Sequence, residues 1–176
     1  MVKRLFIFSL LFTFVPYFLN GQQDSTIDKW EHVKILVGKW IGEGENIGGE
    51  KISNSLFTSE LDNNIIIRKN YSEYIPGSDE TNQHFEDLLI IFRYPDASIK
   101  ATYFDNKSRV INFNITVSDP GDTIIFLSEK RKGLSLFRIT YSIIDNKNIR
   151  MSYETAESGK EKDLTIVQEY KLVKIY

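Results

Sequence analysis

The hydrophobic period of this chain changes once, at Gly38, and does not change back. Before that glycine, Ile27, Trp30, Val33 and Val37 recur at helical spacing. Ser25 or Thr26 can cap this short helix, and Gly38 ends it. After Gly38 apolar residues alternate with polar ones, the pattern of strands whose successive side chains point to opposite faces. The alternation predicts strands over 39–45, 50–61, 65–75, 85–94, 98–104, 109–117, 123–130, 134–143, 148–154 and 163–175. The breaks hold turn residues: "DNN" at 62–64, "PDA" at 95–97, "DPGD" at 119–122 and "ESGK" at 157–160 are four of them.

About ten strands with short connections and no later helix describe an antiparallel meander. Left flat, such a sheet keeps two unpaired edges, and closing it removes both. The predicted fold class is therefore all-β: a roughly ten-stranded antiparallel up-and-down β-barrel behind a short N-terminal helix. The longest connection, 76–84, is expected to flank a barrel mouth.

Residues 1–21 stand apart from this pattern. Lys3 and Arg4 precede an apolar run from Leu5 to Val15, Pro16 breaks it, and small Gly21 precedes Gln22. That is the layout of a secretory signal peptide, and the run is shorter than the ~20 apolar residues a membrane span needs. The expectation is an exported protein, periplasmic or secreted, whose single domain covers 22–176 and has no membrane span. The chain has no cysteine, which excludes disulfides and a thiol nucleophile. Loss of Lys3 and Arg4 with the leader lowers the 22 basic residues by two against 24 acidic ones, a charge of about −4. Basic residues are scattered, with the densest cluster, "EKRKG" at 129–133, reading as a hairpin tip. No broad basic face exists for nucleic acid.

The stretch "LVGKWIGEGE" (36–45) starts the barrel. Trp40, Gly42 and Gly44 share one face, and Ile41, Glu43 and Glu45 share the other. Two inward carboxylates would be costly, so Trp40 and the glycines are expected to turn inward, with the indole plugging one end. The Gly38-Lys39-Trp40 triplet is similar to the lipocalin G-x-W signature. With the preceding helix, the added glycines and the meander, the chain resembles calycin-type β-barrels, in particular secreted lipocalin-like and nitrobindin-like proteins. The resemblance implies a cavity for a small, often hydrophobic molecule. Nitrobindin-like barrels hold haem through a histidine near the last strand, but "DLTIVQEYKLVKIY" (163–176) has none, which leaves Tyr170 as the substitute. The Arg-x-Tyr of fatty-acid-binding proteins is missing too, since Arg150 and Tyr153 are three apart. No cofactor is expected.

Candidate chemistry is sparse. His32 and His84 are the only imidazoles, without metal-ligand spacing, and no G-x-S-x-G elbow occurs. His32 is expected on the solvated side of the helix. Arginines inside strands carry more information, because a guanidinium on an apolar face needs a counter-charge, a polar ligand or water. Arg68, Arg93 and Arg138 are such residues. Glu154 and Glu169 are possible internal counter-ions. Tyr71, Tyr103, Tyr141, Tyr153 and Phe113 are expected on the inner wall. The candidate ligand-binding set is Trp40, Arg68, Tyr71, Arg93, Tyr103, Arg138 and Tyr153, with no catalytic or metal residue assigned. The expected function is non-catalytic binding of a small hydrophobic or amphipathic molecule. The alternatives are a solid-core structural or protein-interaction module, and a haem-binding or enzymatic barrel.

Overall fold

The computed structural model describes residues 28–43, 51–74 and 84–176. The predicted signal segment 1–21, Gly44, Glu45 and residues 75–83 lie outside the described residues, as does the side chain of Glu43.

A helix, α1 (Lys29–Val33), continues as one turn of 3₁₀ helix over Lys34–Leu36. Its cap is Asp28, later than the expected Ser25 or Thr26, and Asp28 Oδ1 accepts a hydrogen bond from the Trp30 amide at 3.0 Å. Ten strands follow. They are β1 (Gly38–Glu43), β2 (Lys51–Glu60), β3 (Ile65–Tyr74), β4 (His84–Arg93), β5 (Ile99–Asp105), β6 (Val110–Val117), β7 (Thr123–Ser128), β8 (Leu136–Ile143), β9 (Asn148–Ala156) and β10 (Thr165–Lys174). Each pairs with its neighbours in sequence, and β1 pairs with β10, closing the barrel. The fold is the all-β, ten-stranded antiparallel barrel that the alternation predicts. Every strand lies within about two residues of its expected span at each end.

Closure depends on a close approach at Gly38. Here φ is +137°, and a Cβ would lie 2.5 Å from the Tyr176 carbonyl oxygen and 2.4 Å from Lys174 Cε. Any other residue would push the last strand away from the first. The seam then runs with Trp40 opposite Lys174 and Gly42 opposite Leu172. Trp40 turns inward, as expected. It is 1% exposed, and its Nε1 donates to the Leu36 carbonyl at 2.7 Å. Lys174 Nζ stands 5.1 Å from the centre of its ring.

The helix seals one end of the barrel by resting on three features. Trp30 Nε1 donates to the Asn63 carbonyl, in the β2–β3 turn, at 2.9 Å. The His32 ring packs on Gly121, in the β6–β7 turn, where a Cβ would come within 2.2 Å of it. Arg93, at the end of β4, pairs with Asp28 at 3.3 Å and lies 5.9 Å from the Trp30 ring centre. His32 is thus half-buried against the barrel instead of solvated, because a glycine opposite leaves room for the ring. Above the indole the core is aromatic, with Phe126 and Tyr141 edge-to-face at 5.6 Å and Phe57 6.1 Å from Tyr141.

If the Trp40 indole fills the closed end, Trp40→Ala should cost ~3–5 kcal/mol of unfolding free energy, as for other large-to-small aromatic changes. Urea denaturation followed by far-UV circular dichroism would measure it.

Candidate functional site

Toward the end opposite the helix, the barrel is not packed solid. A cavity of about 220 Å³ lies there, between β3, β4, β5 and β6 on one side and β8, β9 and β10 on the other. Its surface is mixed: Phe113, Ile139 and Met151 are apolar, and Arg68, Asp87 and Tyr103 are polar.

The polar half follows from strand alternation and register. On β3, Ile66, Arg68, Asn70 and Ser72 share the inward face. On β4, Asp87 falls in step with the buried Leu89 and Ile91. The β3–β4 register puts Asn70 opposite Asp87, so Arg68 is its diagonal neighbour. Arg68 Nη2 donates to Asp87 Oδ1 in a tight ion pair, and Arg68 Nη1 donates to the Tyr141 hydroxyl at 2.8 Å. Asp87 Oδ2 accepts from Asn70 Nδ2 at 3.0 Å, and Asn70 Oδ1 accepts from Ser55 Oγ at 2.8 Å. Burial opposes the Arg68 charge, but the Asp87 carboxylate and the Tyr141 hydroxyl outweigh it and hold the guanidinium well above its usual pKa.

A second pair stands one strand further round. The β4–β5 register sets Asp105 opposite Asp87, two inward carboxylates face to face. Like charges in that position repel. Arg109 answers the second one: its Nε donates to Asp105 Oδ2 at 2.5 Å, and its amide donates to Oδ1 at 3.0 Å. The Lys107 amide adds a bond to Oδ1 at 2.9 Å. Burial pushes the Asp105 carboxyl up, but the Arg109 and Lys107 donors overcome it and leave the group below the usual carboxylate range. From β3 through β4 and β5 to the β5–β6 turn the charges therefore run plus, minus, minus, plus. Tyr103 Oη lies 3.4 Å from Asp105 Oδ2. Burial, then the Asp87 and Asp105 charges, raise its pKa far above the ordinary value. Burial likewise raises Tyr141 and Tyr153.

Of the seven sequence candidates, Arg68, Tyr103 and Tyr153 meet at this cavity. Trp40 lies at the closed end, and Arg93 clamps the helix there. Tyr71 and Arg138 are not in the lumen. Tyr71 is exposed on the outer face of β3, because Arg68, three residues earlier, points inward. Arg138 faces outward from β8 because Tyr141 faces inward. There it forms a bidentate pair with Glu154, directly opposite in the register, at 2.5 and 2.6 Å. Glu169 faces Arg150 at 3.7 Å. Asp87, Asp105 and Arg109 were missing from the sequence set. The signal for the acids was alignment with inward apolar residues of the same strand, Asp87 with Leu89 and Asp105 with Tyr103; Arg109 stands in the turn four residues after Asp105.

The nitrobindin-like resemblance implies haem; Tyr170, the substitute for its histidine, does line the cavity, but no histidine among the described side chains does, and the space is small. His32 packs at the closed end, and the side chain of His84 lies outside the described residues. The volume is also below the ~300 Å³ at which drug-sized pockets begin, and haem is larger than most of their ligands. Among the described residues no group of three His, Cys, Asp or Glu side chains could hold a metal ion. No family model matches the chain, and no curated protein matches it. The closed ten-stranded antiparallel barrel is consistent with a calycin-like fold.

Two outcomes follow from the charge line. Arg68→Ala strands the buried Asp87 carboxylate and should cost ~3–5 kcal/mol in urea denaturation, whereas Arg68→Met with Asp87→Leu should recover most of the loss. The second concerns acid. The carboxyls of Asp105 and of the turn residues Asp96, Asp122 and Asp145 sit below their ordinary range. A depressed folded-state pKa gives stability that is present above the unfolded value of about 3.9 and lost as pH falls through the lower folded value. Denaturation midpoints should stay level down to about pH 4 and decline below it, and Asp105→Asn should flatten that decline.

Proposed function

We propose that this chain is an exported, lipocalin-like binding protein that holds a small hydrophobic or amphipathic molecule without transforming it. The observation that carries the reading is the cavity. A barrel whose helix and indole close one end still has about 220 Å³ open between its walls at the other. Such space would be lost packing if nothing entered it. Its mixed lining suits an amphipathic guest, with the polar end on the Arg68–Tyr141 side and the apolar body against Ile111, Met151 and Val167. The volume limits that guest: at ~30 Å³ per water, it equals about seven waters. Tyr103 and Tyr153 supply rings with hydroxyl tips beside it.

The leader assigned to residues 1–21 places the protein outside the cytoplasm in this reading. Its companion test is N-terminal sequencing of the protein from the periplasmic or extracellular fraction, where a start near Gln22 is expected.

Native mass spectrometry of the gently purified protein, followed by solvent extraction, tests the binding itself. A stoichiometric adduct is expected, diminished in a variant such as Met151→Trp that fills the cavity. If no molecule accompanies the protein, and substitutions at Arg68 and Tyr153 change only stability, the barrel is a structural or interaction module instead.

A further inference from the structure

The cavity's polar groups have an unequal balance of donors and acceptors, and that balance selects the chemistry of a guest. The carboxylate acceptors are occupied. Both oxygens of Asp87 are engaged, one by Arg68 and one by Asn70. Both oxygens of Asp105 are engaged as well, by Arg109, the Lys107 amide and Tyr103.

Donors remain. A guanidinium has no acceptor, so Tyr141 can only accept from Arg68, and its hydroxyl proton is left for another group. Tyr153 lines the same cavity beside the Arg109 charge, and a guanidinium offers no acceptor for its hydroxyl proton either. Arg68 Nε is buried and has no hydrogen-bond partner among the described residues, although its side chain lines the cavity. A buried donor without an acceptor is a cost that a bound acceptor can remove.

Charge narrows the choice. Arg68 cancels Asp87, and Arg109 cancels Asp105, so the four groups sum to zero. A carboxylate or an ammonium guest would lose its hydration without gaining an unspent counter-charge from them. Lys107 is the cation at the rim, but it is exposed, and water screens its charge.

We infer that the guest presents an uncharged hydrogen-bond acceptor, a carbonyl oxygen of ketone, ester or amide type, to the hydroxyl protons of Tyr141 and Tyr153 and the Nε–H of Arg68. This rests on the binding reading above and specifies its ligand class. It predicts that a fatty-acid-like carboxylate is a poor guest, and that the apolar part of the molecule points away from the Arg68–Tyr141 side.

Four probes on one skeleton test it. Acetophenone carries the carbonyl, ethylbenzene has no polar group, benzoate is the anion and benzylamine the cation. The purified full chain, freed of any guest, is titrated with each at pH 7 and followed by isothermal titration calorimetry. Acetophenone is expected to bind about tenfold more tightly than each of the others, the scale of one well-made hydrogen bond. Tyr141→Phe should bring acetophenone down to the level of ethylbenzene and leave ethylbenzene unchanged. Tyr153→Phe, which leaves the Arg68 contacts intact, should lower acetophenone several-fold and keeps the test informative if Tyr141→Phe does not fold. Tighter binding of benzoate or benzylamine overturns the inference. So does equal binding of ethylbenzene and acetophenone, which would nonetheless support a cavity that binds apolar molecules. Failure of all four probes to bind also overturns it, whereas the binding reading stands or falls on the co-purified adduct.

Discussion

The pairing of β1 with β10 is the constraint from which the rest of the molecule follows. Ten strands joined by short turns could equally form an open, twisted sheet with two sticky edges. Here the Lys39 amide donates to the Tyr176 carbonyl at 3.2 Å, and the Ile175 amide donates to the Lys39 carbonyl at 2.9 Å. Those bonds require the close approach that only glycine permits at position 38. Once the sheet is shut, its interior has a fixed girth, and the inward residues must fill it from within. At the helix end they do, with Trp40, Phe57, Phe126 and Tyr141 all nearly inaccessible.

Toward the other end the filling changes character. The inward positions of β3, β4 and β5 become Arg68, Asn70, Asp87 and Asp105, and Arg109 joins them from the β5–β6 turn. Hydrogen-bonded ions cannot interdigitate as aliphatic side chains do, because each must keep its partner at bonding distance and direction. The paired carboxylates of Asp87 and Asp105 make this more acute. Each is tolerable beside the other only with its own arginine, and the two arginines approach from opposite sides. The space in the barrel is thus a result of its charge arrangement: groups held for mutual neutralisation leave volume that a purely apolar set would have closed.

How much of this could be read from the chain depends on the range of the interaction. Strand limits follow from local alternation and turn residues, and they were legible throughout. The inward turn of Trp40 was legible too, since the alternation puts Glu43 and Glu45 out of step with it and two inward carboxylates would be costly. The failures were of two kinds. Tyr71 and Arg138 were assigned to the lumen along with Arg68 and Tyr141, although three residues of separation in a strand means opposite faces. The period alone could have corrected that. Asp87 and Asp105 are different. Nothing within β4 identifies Asp87 as a counter-ion, because its arginine sits on β3, whereas Asp105 has its arginine only four residues on, across the β5–β6 turn. Only the register across strand pairs brings Arg68 to Asp87 and sets Asp87 opposite Asp105. Pairing between strands is the level at which this sequence stops being readable locally.

Among the described residues, the same geometry closes the cavity on the helix side and leaves it open on the other. Behind it stand the Trp40 indole and then the helix, fastened to the β2–β3 turn, the β6–β7 turn and the end of β4 by Trp30, His32 and Arg93. A guest cannot come from that side without unseating the whole cap. On the other side β10 is irregular: its register with β9 slips between Ile166 and Gln168, leaving Val167 unpaired. A bulge bends its strand and re-aims side chains. Here it brings Val167 to the cavity lining while leaving it more than a third exposed, beside Gln168. Across the opening stand Lys107 and Arg109, which close the β5–β6 turn. Among the described residues the rim is therefore apolar at Val167 and basic at Lys107 and Arg109, with the neutralised charge line below it. A molecule with an apolar body and an acceptor head meets each of these surfaces in turn as it descends, and its head reaches the tyrosine hydroxyls only after its body has left water.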